Sequence, residues 1–282
     1  MLKSNHRKGS TGAWGLALAV AVVGALTAVP APGHAAGGLS AAKRAKLDAV
    51  LNRIKPTGPG ASVAVVKNGQ VVYQGNRGLA HVAKRQPITS QTVFDLASCS
   101  KQFTAMATMM AAERGALSLK DDIRKFVPEI PANKGAITVT HLLNMTSGLA
   151  IYTDVLEDFE GLGNAGVARK MGKEKPLFRT GQKHEYNNTD YALLALIVQR
   201  ATKKTFASFV KDFIFKPLGM TRSMVLDDAS KTVPGRAQGY TPQGKGFEEA
   251  QDDSDVVGDG QVFSTTDDLV KWDLALRRNA LV

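Results

Sequence analysis

The chain has 282 residues, 44% of them hydrophobic and 22% charged, with only 11 prolines. That composition excludes a mainly disordered protein and leaves room for one large or two small domains. A single cysteine, Cys99, excludes an intramolecular disulfide framework and a multi-cysteine zinc site. Net charge is +11, but Lys3, Arg7 and Lys8 stand in the first 35 residues without an acid, leaving 33 cations against 25 acids, scattered rather than clustered. The scatter argues against a nucleic-acid partner and for a mild bias towards anionic surroundings.

From the N-terminus, three cations precede an uncharged run from Ala13 to Val29, which is followed by Pro30, Pro32 and the small residues Gly33 to Ala36 apart from His34. This is the pattern of a secretory signal peptide over residues 1–35, cut after Ala35. The competing reading is an uncleaved anchor, for which an Ala- and Gly-rich run of this length lies at the bottom of the spanning range. Cleavage leaves residues 36–282 as an exported domain, periplasmic or extracellular, without stable membrane insertion.

Leu47, Val50, Leu51 and Ile54 predict a helix over 42–54, ended by Pro56 and Gly58. Ala61–Lys67 and Gln70–Gln74 are β-rich runs joined by Asn68-Gly69, which accepts the positive φ angles of a type I′ hairpin turn. Phe103, Met106, Ala107 and Met110 predict a helix from Ser98 to about Arg114, stopped by Gly115. Further helices are expected at 138–145, 189–202, 205–214 and 265–278, the last capped by Ser264 or Thr265 with Leu269, Trp272 and Leu276 on one face. A hairpin followed by many helices reads as α+β.

Two short motifs carry chemistry. Ser98-x-x-Lys101 at a helix start places a hydroxyl and an amine one turn apart on one face. If the amine can be neutral, a state favoured by burial or a neighbouring cation, it can take the serine proton during attack on a carbonyl. The bland alternative is a serine cap with a solvated lysine. Tyr186-x-Asn188 puts a phenol and an amide on one turn; a phenolate beside a cationic lysine can act as a general base and the amide can orient an acyl group. Alone, this segment is equally a turn into a helix capped by Asn188 or Thr189.

Around these motifs stand Pro59–Val66, Gly115–Asp122, His141–Leu149, Pro217–Met220 and Ser264–Leu269. Their order and spacing resemble the class C β-lactamase-like serine hydrolases, relatives of penicillin-binding proteins, D-alanyl-D-alanine carboxypeptidases and some esterases, from about residue 40 to 278. The resemblance implies a β-lactamase/transpeptidase-like fold, an antiparallel sheet packed with helices plus a helical region. It implies Ser98 as the acylated nucleophile, Lys101 as its proton partner, Tyr186 as general base and proton shuttle, and Asn188 as a substrate-binding amide. The Ser98 backbone N–H is then half of an oxyanion hole. No metal or cofactor is required. The implied substrates are small molecules or peptides: D-alanyl peptides, β-lactams or small esters.

The third motif of such enzymes, Lys-Thr-Gly or His-x-Gly, has no counterpart after Asn188. Arg179-Thr180-Gly181 precedes Tyr186 and Lys203-Lys204-Thr205 lacks the glycine. The chain is therefore expected to be a C-terminally truncated member lacking sheet strands, and the alternatives are an inactive product or a weak binder of wall peptides. A basic wall-adhesion domain rests on charge alone. Cys99 is expected to be a small buried residue and Met106, Met109 and Met110 core. His184-Glu185 lacks the second histidine of a zincin, and Asp121 and Asp122 read as a solvated helix start.

Overall fold

The computed structural model describes residues 39–157, 161–244, 246–250 and 253–282, all within a unit spanning Ala31–Val282. The proposed export segment lies outside the described residues. Helix α1, Ala41–Leu51, lies along the hairpin β1 (Ala61–Lys67) and β2 (Gln70–Arg77), with Leu47 and Leu51 half-buried and Tyr73 donating to Asp48 at 2.8 Å. Asn68 and Gly69 have φ of 52° and 75°, the two positive values that let the hairpin close in two residues. The short pair β3 (Leu79–His81) and β4 (Gln86–Pro87) follows, then β5 (Phe94–Asp95).

A 3₁₀ turn, Ala97–Ser100, runs directly into α2, Lys101–Glu113. The α-helix thus begins three residues later than its periodicity predicts, and this changes which side chains face outward. Ser98 and Cys99 are exposed while Ser100 is buried, so Cys99 is not the core residue expected from a helix starting at Ser98. Along α2, Met110 is buried and Met106 half-buried, but Met109 faces solvent. Gly115, at φ 73°, ends the helix as expected.

Short helices α3 (Val139–Leu143), α4 (Tyr152–Val155) and α5 (Gly163–Met171) lead to α6, Asn188–Thr202. Thr138 and His141 cap α3 reciprocally, which accounts for His141 without chemistry. Every residue of α6 from Thr189 to Val198 is buried, the mark of a helix enclosed on all sides. The expected helix at 205–214 is α7, Phe206–Val210, continuing as a π turn over Lys211–Phe215.

Next come β6 (Met224–Val225), the hairpin β7 (Gly239–Gln243) and β8 (Gly246–Ala250), β9 (Val262–Ser264) and α8 (Thr266–Arg277). Thr265 caps α8 by accepting from the Asp268 N–H; Trp272 is buried and Leu269 half-buried, but Leu276 is exposed. The α+β class holds, with more strands than one hairpin. Among the described residues β1 and β2 pair only with each other, and β5, β9 and β6 form a three-stranded antiparallel sheet in that order.

That small sheet positions the site. Phe94 pairs with Ser264, Asp95 with Phe263, and the Leu96 N–H donates to the Val262 carbonyl at 2.9 Å. The turn carrying Ser98 is thereby held against the loop that precedes β9. Behind it, Phe103 of α2 is fully buried with its ring 4.4 Å from Trp272 and 5.6 Å from Phe215. Phe103→Ala is expected to cost about 3–5 kcal/mol of stability, read as a lowered urea midpoint at unchanged slope. A shift under 1 kcal/mol would mean that α8 does not seal this core.

Candidate active site

Ser98 sits at the head of α2, on a turn with one strained residue. Ala97 has φ 44°, a left-handed value that L-residues rarely adopt, and its N–H is held by Asp95 Oδ1 at 2.8 Å. The strain is spent at the residue before the hydroxyl, which it turns outward. One turn on, Lys101 is buried at 7% exposure, and its Nζ donates to Ser98 Oγ at 3.1 Å. Expectation and structure agree on this pair, because residues three apart on a helical path must share a face.

Tyr186 and Asn188 arrive from the start of α6, some ninety residues further along the chain. Tyr186 Oη lies 2.7 Å from Ser98 Oγ, with its ring about half exposed. Asn188 Oδ1 accepts from Lys101 Nζ at 2.8 Å, and its Nδ2 donates to Thr153 Oγ1 at 3.3 Å. Lys101 Nζ also stands 4.8 Å from the centre of the Tyr186 ring and 5.9 Å from that of Tyr191. Lys101 and Tyr186 therefore meet at the Ser98 hydroxyl, and Asn188 joins them through Lys101. Beside them opens a cavity of about 170 Å³ lined by Ser98, Tyr152, Thr153, Asn188, Asp259 and Gly260, among others.

The sequence did not point to the third partner of Lys101, the backbone carbonyl of Asp259, at 2.8 Å. It lies in Gly258-Asp259-Gly260, a turn signal whose two glycines could have drawn attention. Gly258 has φ 104°, and a Cβ there would lie 2.5 Å from the Tyr191 carbonyl oxygen, so the close approach requires glycine. The loop is fastened to α2: Thr104 Oγ1 donates to the Gly258 carbonyl at 2.7 Å, and Ser100 Oγ accepts from the Val262 N–H at 3.0 Å.

Arg179-Thr180-Gly181 is accounted for by structure: Thr180 Oγ1 donates to the Ser147 carbonyl and the Gly181 N–H to that of Thr146, a clasp on the segment before α4. Asp121 pairs with Lys125 and Asp122 with Arg124, and among the described residues no group of three or more His, Cys, Asp or Glu could hold a metal.

The family model described as Beta-lactamase matches residues 49–282. The chain belongs to the beta-lactamase family. This family member is 29% identical over 240 residues to penicillin-binding protein 4* of Bacillus subtilis, covering 78% of the chain and 53% of that protein. It is 30% identical over 222 residues to protein flp of Staphylococcus aureus, covering 76% of the chain and 44% of that protein. The chain thus spans about half the length of these curated relatives. Among solved structures, the octameric penicillin-binding protein homologue from Pyrococcus abyssi superposes with a TM-score of 0.74 at 27% identity, over 86% of this chain and 58% of that one. The fold is the β-lactamase/transpeptidase-like one, and no described helix is long and apolar enough to cross a membrane.

Two buried carboxyls flank the site of this beta-lactamase family chain. Asp190, on α6, is fully buried; burial pushes its carboxyl well above the usual range, only partly offset by Ser147 Oγ donating to Oδ1 at 2.5 Å. A carboxyl with a raised folded-state value gives stability that is complete below its unfolded value of 3.8 and is lost as pH rises through the folded value. Asp190→Asn removes that dependence, so urea unfolding of the variant is expected to gain on the native chain as pH rises from 3.5. Parallel stability curves would contradict the assignment. Asp259, 8% exposed, is likewise raised by burial, opposed by the Tyr152 hydroxyl and the charge of Lys101.

Proposed function

We propose that this chain is an exported serine hydrolase that moves an acyl group from an amide or ester onto Ser98 and then to water. The observation that carries the reading is the convergence of Tyr186 Oη and Lys101 Nζ on one exposed hydroxyl oxygen, at 2.7 and 3.1 Å. Export rests on the N-terminal sequence pattern.

Lys101 Nζ has three acceptors, Ser98 Oγ, Asn188 Oδ1 and the Asp259 carbonyl, matching the three N–H groups of an ammonium. Tyr186 Oη faces the same oxygen and is the base in this reading. Tyr186 Oη takes the Ser98 proton as Oγ bonds to the substrate carbonyl carbon, whose π electrons move to its oxygen. Collapse of the tetrahedral intermediate breaks the bond to the leaving amine or alcohol, which receives that proton from Tyr186. Water then attacks the ester, giving a proton to Tyr186, and Ser98 leaves with one returned. Asn188, fixed by Lys101 and Thr153, presents an amide at the mouth of the cavity to orient the acyl group. Candidate substrates are D-alanyl peptides, β-lactams and small esters; relatives named as penicillin-binding proteins make a β-lactam the first probe.

The test is intact mass after incubation with benzylpenicillin or a fluorophosphonate, with peptide mapping of any adduct. One adduct on Ser98, absent from Ser98→Ala, supports the reading. An adduct on Cys99, one that survives in Ser98→Ala, or none with either probe would overturn it in favour of a non-catalytic binder.

A further inference from the structure

Behind the site, a closed ring of contacts runs through both helices that supply it. Lys101 Nζ donates to Asn188 Oδ1 at 2.8 Å. The next residue of α6, Thr189, is fully buried, and its Oγ1 accepts from the Tyr152 N–H at 2.9 Å while donating to the Ala150 carbonyl at 2.7 Å. Tyr152 is buried at 3% exposure, and its hydroxyl donates to Asp259 Oδ2 at 2.8 Å. The Asp259 main-chain carbonyl accepts from Lys101 Nζ at 2.8 Å, which closes the ring. Tyr152 and Asp259 also line the cavity beside Ser98.

We propose that Tyr152 and Asp259 form a positioning pair, in which the phenol anchors the Asp259 side chain so that its backbone carbonyl holds Lys101 against Ser98. The inference rests on the reading of Ser98 as nucleophile. Asp259 sits between two glycines, in a loop with little conformational restraint of its own. Thr104 Oγ1 holds the Gly258 carbonyl at one end of that tripeptide, and the buried Tyr152 hydroxyl holds the Asp259 carboxyl beside the carbonyl that meets Lys101. Tyr152 in turn hangs from Thr189, next to the residue that gives Lys101 its second acceptor. The ring thus couples the two motifs: a shift of α6 against the loop would disturb two of the three acceptors of Lys101, Asn188 Oδ1 and the Asp259 carbonyl. The contacts that link the pair to Ser98 run from the Asp259 carbonyl through Lys101 Nζ.

The experiment is the rate of fluorophosphonate labelling, followed by intact mass, for the native chain, Tyr152→Phe, Asp259→Ala, Asp259→Asn and the double variant Tyr152→Phe/Asp259→Ala. Misplacing Lys101 by a fraction of an ångström is expected to slow labelling about tenfold or more in Tyr152→Phe and Asp259→Ala, with labelling still running to completion. The double variant is expected to be no slower than the slower single one, since both remove one contact. Asp259→Asn keeps an oxygen that accepts from Tyr152 and is expected to restore most of the rate. Native speed in Tyr152→Phe, multiplied losses in the double variant, or an asparagine as slow as the alanine would each overturn the inference. Tyr152→Phe and Asp259→Asn are near-isosteric, so they decide the matter even where Asp259→Ala unfolds. A native chain that does not label, or a Ser98→Ala variant that does, defeats the serine-hydrolase reading instead.

Discussion

Ser98→Ala is expected to lower the rate of acyl transfer by ~10⁴-fold or more, the scale seen when a serine nucleophile that works as a unit with its base is removed. The size follows from how little else at the site can substitute. Cys99 is the neighbouring residue and is exposed, yet it lies on the adjoining position of a tight turn, whereas Lys101 Nζ and Tyr186 Oη both face Ser98 Oγ. Removing one oxygen from an exposed position leaves no buried group unsatisfied other than one N–H of Lys101, so the fold should tolerate the change. Steady-state hydrolysis of a β-lactam and a nitrophenyl ester, beside a thermal unfolding curve, separates the two effects. A Ser98→Ala variant that turns over either substrate within tenfold of the native chain would remove Ser98 from the mechanism.

How much of this was legible in the sequence depends on how local each contact is. Asn68-Gly69 dictates its turn within two residues, and Ser98 and Lys101 meet because three residues of helical path return to the same face. Tyr186 and Asn188 lie far from both in sequence, and no periodicity links them; only the resemblance to known enzymes joined the two motifs. Asp259 escaped because its contribution to Lys101 is a main-chain carbonyl, which every residue type carries. The strands β5, β6 and β9 are two or three residues long, too short for an alternation of burial to emerge, although they set the Ser98 turn against its supporting loop. Cys99 was misplaced for a related reason. Helical periodicity does not distinguish a 3₁₀ turn from the first turn of an α-helix, and the tighter winding sends Cys99 outward and Ser100 in.

Lys101→Met is the second large effect, an expected loss of about 10²–10⁴-fold in acylation rate. Methionine keeps the unbranched length of the side chain and fills the same space, so what is deleted is the amine. Three contacts go with it: the donor to Ser98 Oγ, the donor that fixes Asn188, and the donor to the Asp259 carbonyl. The amine 4.8 Å from the centre of the Tyr186 ring goes as well. Two opposing terms act on stability. The Asn188 and Asp259 oxygens lose a partner, which costs of order 1–3 kcal/mol each where water cannot reach them, while the desolvation cost of a cation at 7% exposure disappears. Stability should therefore move far less than activity, and urea unfolding beside fluorophosphonate labelling measures both on one sample. Labelling by Lys101→Met at the native rate would show that Tyr186 alone activates Ser98. If a variant as stable as the native chain fails to label, Lys101 is needed to activate Ser98 and its place at the head of α2 is chemical rather than structural.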